Sequence, residues 1–266
     1  MKIEKPLMDQ INELAEVAGF LHQKGWAERN AGNISVNIRA INENKTMDFS
    51  GCQRILLPKA YPALQGNIFI ISGAGTRMKD LAKQPENNIC FLRIADQGTH
   101  YQILQEKLNK PYIKPSSELL THLAIHQMLV SNESEAKAVL HTHVDELIAL
   151  SQIKDFNNEE KLSRLIWGML PEAITFLPEG IGLVPYQLPG SEKIAIQSIK
   201  ALKHHKLIIW QKHGCMAVGK DVNDAFDKID IAAKSARIYF LCKNAGYEPE
   251  GLSDVQIEKL RKNVPI

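Results

Sequence analysis

A chain of 266 residues can bury one sizeable core, and a composition of 44% hydrophobic and 23% charged residues excludes disorder or a fibrous fold for the whole. The formal net charge is only +2, with lysines and arginines scattered rather than clustered, so neither nucleic acid nor an anionic membrane is expected as a partner.

The opening MKIEKPLMDQINEL is interrupted by Glu4, Asp9 and Glu13, so it lacks the apolar centre of a secretory signal. Leu7, Ile11, Leu14, Val17, Ala18 and Leu21 recur at helical spacing and predict an amphipathic helix over 7–24, ended by Gly25. After the loop WAERNAGN come short β-type runs: NISVNI, NIFIIS at 67–72, NICFLRI, and HYQILQ at 100–105. No helix-length pattern separates several of them, so antiparallel pairing is expected in this half. KPSSELLTHLAIHQMLV predicts a helix capped by Ser116 or Ser117.

Further on, AVLHTH at 138–143 reads as a buried strand and DELIALSQI as a short helix. AITFLP reads as another strand before a Gly- and Pro-rich connection through Pro189. Ser191 opens the helix SEKIAIQSIKAL, KLIIW at 206–210 and CMAVG are strands, and DVNDAFDKIDIAAKSARIYFLC is a long helix. Lys259, Arg261 and Lys262 mark a solvated helix face at the end. With no run approaching the roughly 20 apolar residues of a membrane span, and no repeat or dividing linker, one α/β domain over residues 1–266 is expected. Cys52, Cys90, Cys215 and Cys242 are far apart and form no CxxC pair, as suits reduced, mostly buried thiols in a cytoplasmic protein.

His141 and His143 stand two apart at the end of a predicted strand. Side chains alternate across a strand, so both imidazoles point to one side, as capture of one metal ion requires. His213 lies at another strand junction, where Gly214 leaves space near the backbone. Three neutral imidazoles suit Zn²⁺ and leave a fourth position for substrate. Glu118, at the start of a helix behind two serines, adds a carboxylate able to move a proton on and off carbon. A rival set is Glu118, His122 and His126, which form one stripe on that helix and could hold a metal or border the core. His204 and His205, at a helix end, read as structural.

Three loops have the chemistry of an anion cradle. RNAGN offers Asn30, Asn33 and a close backbone approach at Gly32; SGAGT offers amides around Gly73 and Gly75; PSSE sets Ser116 and Ser117 at a helix N-terminus. Beside the histidines they suggest a small phosphorylated substrate.

Taken in order, KGWAERNAGNIS, SGAG, PSSELLTH, LHTH, WGMLPEAITFLPEGIG and WQKHG resemble the class II aldolase/adducin family, from about Gly25 to the helix ending near Cys242. The resemblance implies a three-layer α/β/α sandwich with a mixed, largely antiparallel central sheet, and homotetramers with active sites at subunit interfaces. It implies one Zn²⁺ per subunit on His141, His143 and His213, and Glu118 as catalytic acid/base. Asn30, Asn33, Ser116 and Ser117 match phosphate positions, and Glu172 matches a second acidic residue found in one branch. Ala74 stands where a serine is expected, leaving that contact to the amides of Gly73 and Gly75. The implied reaction is cleavage of a ketose 1-phosphate to dihydroxyacetone phosphate and L-lactaldehyde. Its rivals are a fuculose-phosphate aldolase, a sugar-phosphate 4-epimerase, a methylthioribulose-phosphate dehydratase, and an adducin-like interaction module. Adducin-type domains lack the zinc ligands present here, and Glu118 in place of an aspartate disfavours the epimerase.

Overall fold

In the computed structural model, which describes residues 5–41, 47–104 and 113–263, the opening amphipathic pattern forms helix α1 (Lys5–Gln23). Leu7, Ile11, Leu14, Val17, Ala18 and Leu21 are its buried stripe, as their spacing predicts. The chain divides into two compact units, Met1–Leu140 with Gly219–Asn223 and His141–Val218 with Asp224–Ile266.

The first unit contains strands β1 (Asn33–Asn37), β2 (Arg54–Leu56), β3 (Ile68–Ser72), β4 (Ile89–Ala95) and β5 (His100–Ile103). They are hydrogen-bonded in the order β2-β5-β4-β3-β1, every pair antiparallel. Helix α2 (Met78–Lys83) lies against α1, with Gly19 facing Ala82. Helix α3 (Leu119–Ser131) sends Leu119 and Leu123 into a core with Phe69, Ile71, Leu92 and Ile94.

In the second unit β7 (Gly182–Val184) runs parallel to β8 (Leu207–Trp210), which is antiparallel to β9 (Gly214–Gly219). Strand β6 (Ala138–Thr142), of which His141 and Thr142 belong to this unit, is hydrogen-bonded beside β9. The helices are α4 (Asp145–Leu150), α5 (Glu159–Met169), α6 (Glu172–Phe176), α7 (Glu192–Leu202), α8 (Val222–Asn244, in this unit from Asp224) and α9 (Asp254–Asn263). Ser191 accepts from the Ile194 amide at 3.3 Å and caps α7, which packs on β7 and β8. Lys259, Arg261 and Lys262 of α9 are exposed, as expected. Arg164 of α5 anchors that segment through Asp254 and, at 2.7 Å, the Leu252 carbonyl. The fold is α/β with mixed, largely antiparallel strand pairing, as the family resemblance implied. Among the described residues no helix is long and apolar enough to cross a membrane.

One element differs in kind from the expectation. AITFLP is not a strand: its first residues lie in α6, after Pro171 in helical conformation (φ −57°, ψ −37°). Ala173, Ile174 and Leu177 fall at i, i+1 and i+4, so one helical face buries all three, while Thr175 and Phe176 stay exposed. Helix α5 also escaped the sequence reading, although Leu162, Leu165 and Ile166 form its buried stripe and Asn158 accepts from the Lys161 amide at 2.9 Å. Strands β2 and β7, three residues each, are too short to show a period.

Gly98 fixes the turn that joins β4 to β5. Its φ is +86°, and an added Cβ would fall 2.2 Å from the Tyr61 carbonyl carbon. Tyr61 in turn donates its amide to the Gly98 carbonyl at 2.9 Å. Gly98→Ala is expected to lower stability by about 3 kcal/mol or more, combining backbone strain with overpacking. Gly66→Ala, at φ +75° in open space, bears only the conformational cost of about 1–2 kcal/mol. Urea unfolding of both variants checks this, and equal losses would contradict it.

Candidate active site

Two neighbouring strands and one turn bring three imidazoles together in the second unit. His141 belongs to β6, His143 follows its last residue, and His213 ends the turn between β8 and β9. That turn is held by Lys212 at φ +63°, by the His213 amide donating to the Trp210 carbonyl at 3.0 Å, and by the Lys212 amide donating to Ser151 Oγ at 2.8 Å. Ring centroids are 5.2 Å apart for His141–His143 and 5.1 Å for each of the other pairs, so the rings make a nearly equilateral triangle. One potential ligand atom from each lies within 4.8 Å of the others, and the three could hold a metal ion.

Local chemistry decides which atom His141 offers. Its Nδ1 lies 2.8 Å from the Cys215 carbonyl oxygen. A carbonyl only accepts, so Nδ1 carries the proton and Nε2 keeps the lone pair for a metal. The indole of Trp210, buried and held by donation from Nε1 to Ser198 Oγ at 2.8 Å, backs His141 at 4.5 Å and His213 at 5.2 Å between centroids. Gly214 completes the cradle: a Cβ there would meet the Thr142 carbonyl oxygen at 2.6 Å, His143 Cδ2 at 2.9 Å and His141 Cε1 at 3.1 Å.

Glu118 belongs to the first unit, directly before α3. Its amide donates to Ser116 Oγ at 3.2 Å, and the Leu119 amide to the Ser116 carbonyl at 3.0 Å, but the residue at the N-cap of α3 is Glu118 itself, without a side-chain cap bond, so neither Ser116 nor Ser117 caps the helix as the sequence predicted. Asn33 Nδ2 donates to Glu118 Oε2 at 3.5 Å. The rival metal stripe is not a metal group here. His122 and His126 are buried and turn to Ser35 Oγ, at 2.6 Å from His122 Nδ1 and 2.8 Å from His126 Nε2. Burial pushes both imidazoles down to about 3, so they are neutral at physiological pH.

Among the anion-cradle residues, Asn30 is exposed in the turn before β1, where Arg29 and Gly32 have φ +54° and +83°. Asn33 is buried, and its Oδ1 faces His122 Nε2 at 2.5 Å. Ser117 is exposed beside buried Ser116. The Gly73 amide is already given to the Asn88 carbonyl at 2.8 Å, so it cannot serve a phosphate as the sequence reading supposed. The Ala74 amide likewise donates to the Lys114 carbonyl at 2.8 Å. Gly75, exposed at φ +72°, remains the glycine of that loop open to an anion.

Glu172 is exposed in the first turn of α6. His204 and His205 follow the end of α7 as expected, with His205 Nε2 3.9 Å from Glu159 Oε2. Cys90 and Cys215 are buried, and burial raises both thiols far above their usual range; Cys52 and Cys242 are partly buried. Sequence reasoning missed Ser35, the Trp210 backing and the Cys215 carbonyl. An alternation of Asn33 and Ser35 on β1 was the only signal for the first, and a backbone carbonyl leaves no residue-type signal at all.

Comparison with known proteins agrees with this geometry. Residues 12–240 match the family model described as Class II Aldolase and Adducin N-terminal domain. The chain is 40% identical over 255 residues to a rhamnulose-1-phosphate aldolase of Bacteroides thetaiotaomicron, covering 96% of this chain and 93% of the relative. A protein of the same name from Listeria welshimeri is 31% identical over 240 residues, covering 89% and 83%. Among solved structures, a sugar-phosphate aldolase from Thermotoga maritima superposes with a TM-score of 0.77 at 31% identity, covering 92% of this chain and 99% of that one. With the family model spanning most of its length, the chain belongs to the class II aldolase and adducin N-terminal domain family.

Proposed function

We propose that this chain is an aldehyde-lyase that cleaves L-rhamnulose 1-phosphate to dihydroxyacetone phosphate and L-lactaldehyde, a cytoplasmic step of rhamnose catabolism. The observation that carries this reading is the triangle of His141, His143 and His213. Three imidazoles, one with its tautomer set by a backbone carbonyl, and a cradle that a single Cβ at Gly214 would fill, fit one Zn²⁺ per subunit. The likeness to relatives bearing the rhamnulose-1-phosphate aldolase name, spread over nearly the whole chain, supports the choice of sugar. Because the family match runs through both units, it also supports reading residues 1–266 as one catalytic domain.

When bound, zinc supplies Lewis-acid stabilisation of the negative charge left as carbon–carbon bond cleavage proceeds. The remaining work falls to the chain's own groups. A base removes the proton of the C4 hydroxyl, the C4–O bond becomes a carbonyl, and the C3–C4 bond breaks with its electron pair kept on C3. Glu118 delivers the proton that C3 then needs, and Glu172 is assigned to the proton at the aldehyde end. Asn30, Ser116, Ser117 and the backbone around Gly32 and Gly75 are assigned to the phosphate. Asn33 and Gly73, whose groups are engaged within the protein, are better supported as its scaffold. Four copies are proposed to assemble with active sites at their interfaces, where exposed Glu172 acts on a neighbour's substrate.

Three measurements test these assignments. Zinc-loaded protein offered L-rhamnulose 1-phosphate and L-fuculose 1-phosphate side by side should prefer the former and lose activity to a chelator; preference for the latter would reassign the substrate. Gly214→Ala, which drives a methyl group against His141 and His143, should weaken zinc binding by about 10-fold or more in chelator competition. Unchanged affinity there would place the metal elsewhere. Glu118→Gln should keep its zinc yet lose roughly 10²–10⁴-fold in exchange of the C3 proton of dihydroxyacetone phosphate with deuterated water. Wild-type exchange in that variant would assign the proton to another group.

A further inference from the structure

Two periodicities meet between β1 and α3. Asn33 and Ser35, two apart on the strand, share a face and are separated by about 6.6 Å. His122 and His126, four apart on the helix, share a stripe at a rise of about 6 Å. The near-equal spacing lets the two pairs mesh like rungs. Ser35 Oγ meets both histidines, and Asn33 Oδ1 meets His122 Nε2. Ser35, His122 and His126 are each only 1% exposed, and Asn33 8%, so these bonds form away from water.

Proton accounting gives the chain a direction. An amide oxygen only accepts, so His122 Nε2 must donate to Asn33 Oδ1. A neutral ring has one N–H, so His122 Nδ1 is bare and accepts the Ser35 hydroxyl proton. The Ser35 oxygen, its proton spent, accepts from His126 Nε2. With Oδ1 turned to His122, the Asn33 amide group turns its N–H to Glu118 Oε2. Every donor and acceptor along the line is assigned by its neighbour, and the line ends on the carboxylate.

Resting on the reading above, in which Glu118 moves a proton at C3, we infer that His122 and Ser35 are positioning residues for Glu118, acting through Asn33. The ordered line fixes the Asn33 amide so that it presents N–H, and not its oxygen, to the carboxylate. That contact, donated to one carboxylate oxygen, limits the rotation of the group that exchanges a proton with C3. Asn33 therefore orients the base. The histidines that resemble a metal stripe in the sequence serve the hydrogen-bond line instead.

The test uses zinc-loaded full-length protein. His122→Phe keeps a planar ring without either nitrogen, and should lower kcat by roughly 10–100-fold with KM within about twofold and zinc content unchanged. His122→Gln, which offers one donor and one acceptor, should restore most of that loss. Should His122→Phe fail to fold, Ser35→Ala against Ser35→Thr makes the same comparison, the threonine retaining the hydroxyl. Equal losses in the phenylalanine and glutamine variants, or a change in KM alone, would overturn the proposal. A readout independent of substrate separates it from the functional reading: histidine ¹⁵N NMR should show the Nε2–H tautomer on His122 and His126. Glu118→Gln should shift the His122 Nε2–H resonance more than that of His126. If the wild type cleaves no ketose phosphate while this pattern holds, the functional reading fails and the line to Glu118 stands. An Nδ1–H tautomer on His122, or a resonance indifferent to Glu118, would overturn the line itself.

Discussion

The bond from His141 Nδ1–H to the Cys215 carbonyl is the constraint on which the metal site depends. It ties a side chain of β6 to the backbone of β9, so correct strand pairing and correct imidazole tautomer are set together. Without it the ring could rotate or shift its proton to Nε2, and a metal would meet a hydrogen instead of a lone pair. The site is then closed by steric necessity. Gly214 lies so near His141, His143 and the Thr142 carbonyl that no larger residue fits, and Trp210 leaves two of the rings little room to tilt. Cys215 is buried as a packing residue, its thiol held neutral, so the chain places a soft ligand close to the histidines without offering it as a thiolate.

The same logic appears in the first unit with different partners. There a strand meets a helix, and the match between a two-residue strand repeat and a four-residue helix repeat aligns Asn33 and Ser35 with His122 and His126. Burying four polar side chains would be destabilising if any lacked a partner. Here each satisfies the next, which specifies one arrangement of the core around Glu118. Both regions use buried polar contacts, formed by regular elements, to hold a chemically active group in one orientation.

Much of this was legible in the residues alone. The histidine pair two apart reports two rings turned to one side, and they meet at 5.2 Å between centroids although His143 lies just past the end of β6. The buried stripes of α1 and α7 follow their hydrophobic spacing. AITFLP shows where local patterning fails: so short a run, apolar at Ala173, Ile174, Phe176 and Leu177, satisfies either period, and Pro171 in a helical conformation decides for α6. The histidine stripe on α3 was visible, but its meaning was not, because Ser35 lies 87 residues from His122 and only tertiary packing brings them together. For the same reason the phosphate loops could be recognised by composition, while the engagement of the Gly73 amide could not.

Everything proposed for the chemistry depends on an ion held by three imidazoles. X-ray absorption at the zinc edge, recorded on stoichiometrically loaded protein, observes that shell directly. The account predicts nitrogen neighbours at about 2.0–2.1 Å, with the outer-ring scattering of three imidazoles and no sulfur. A sulfur neighbour near about 2.3 Å, or a spectrum that His143→Ala leaves unchanged, would contradict it.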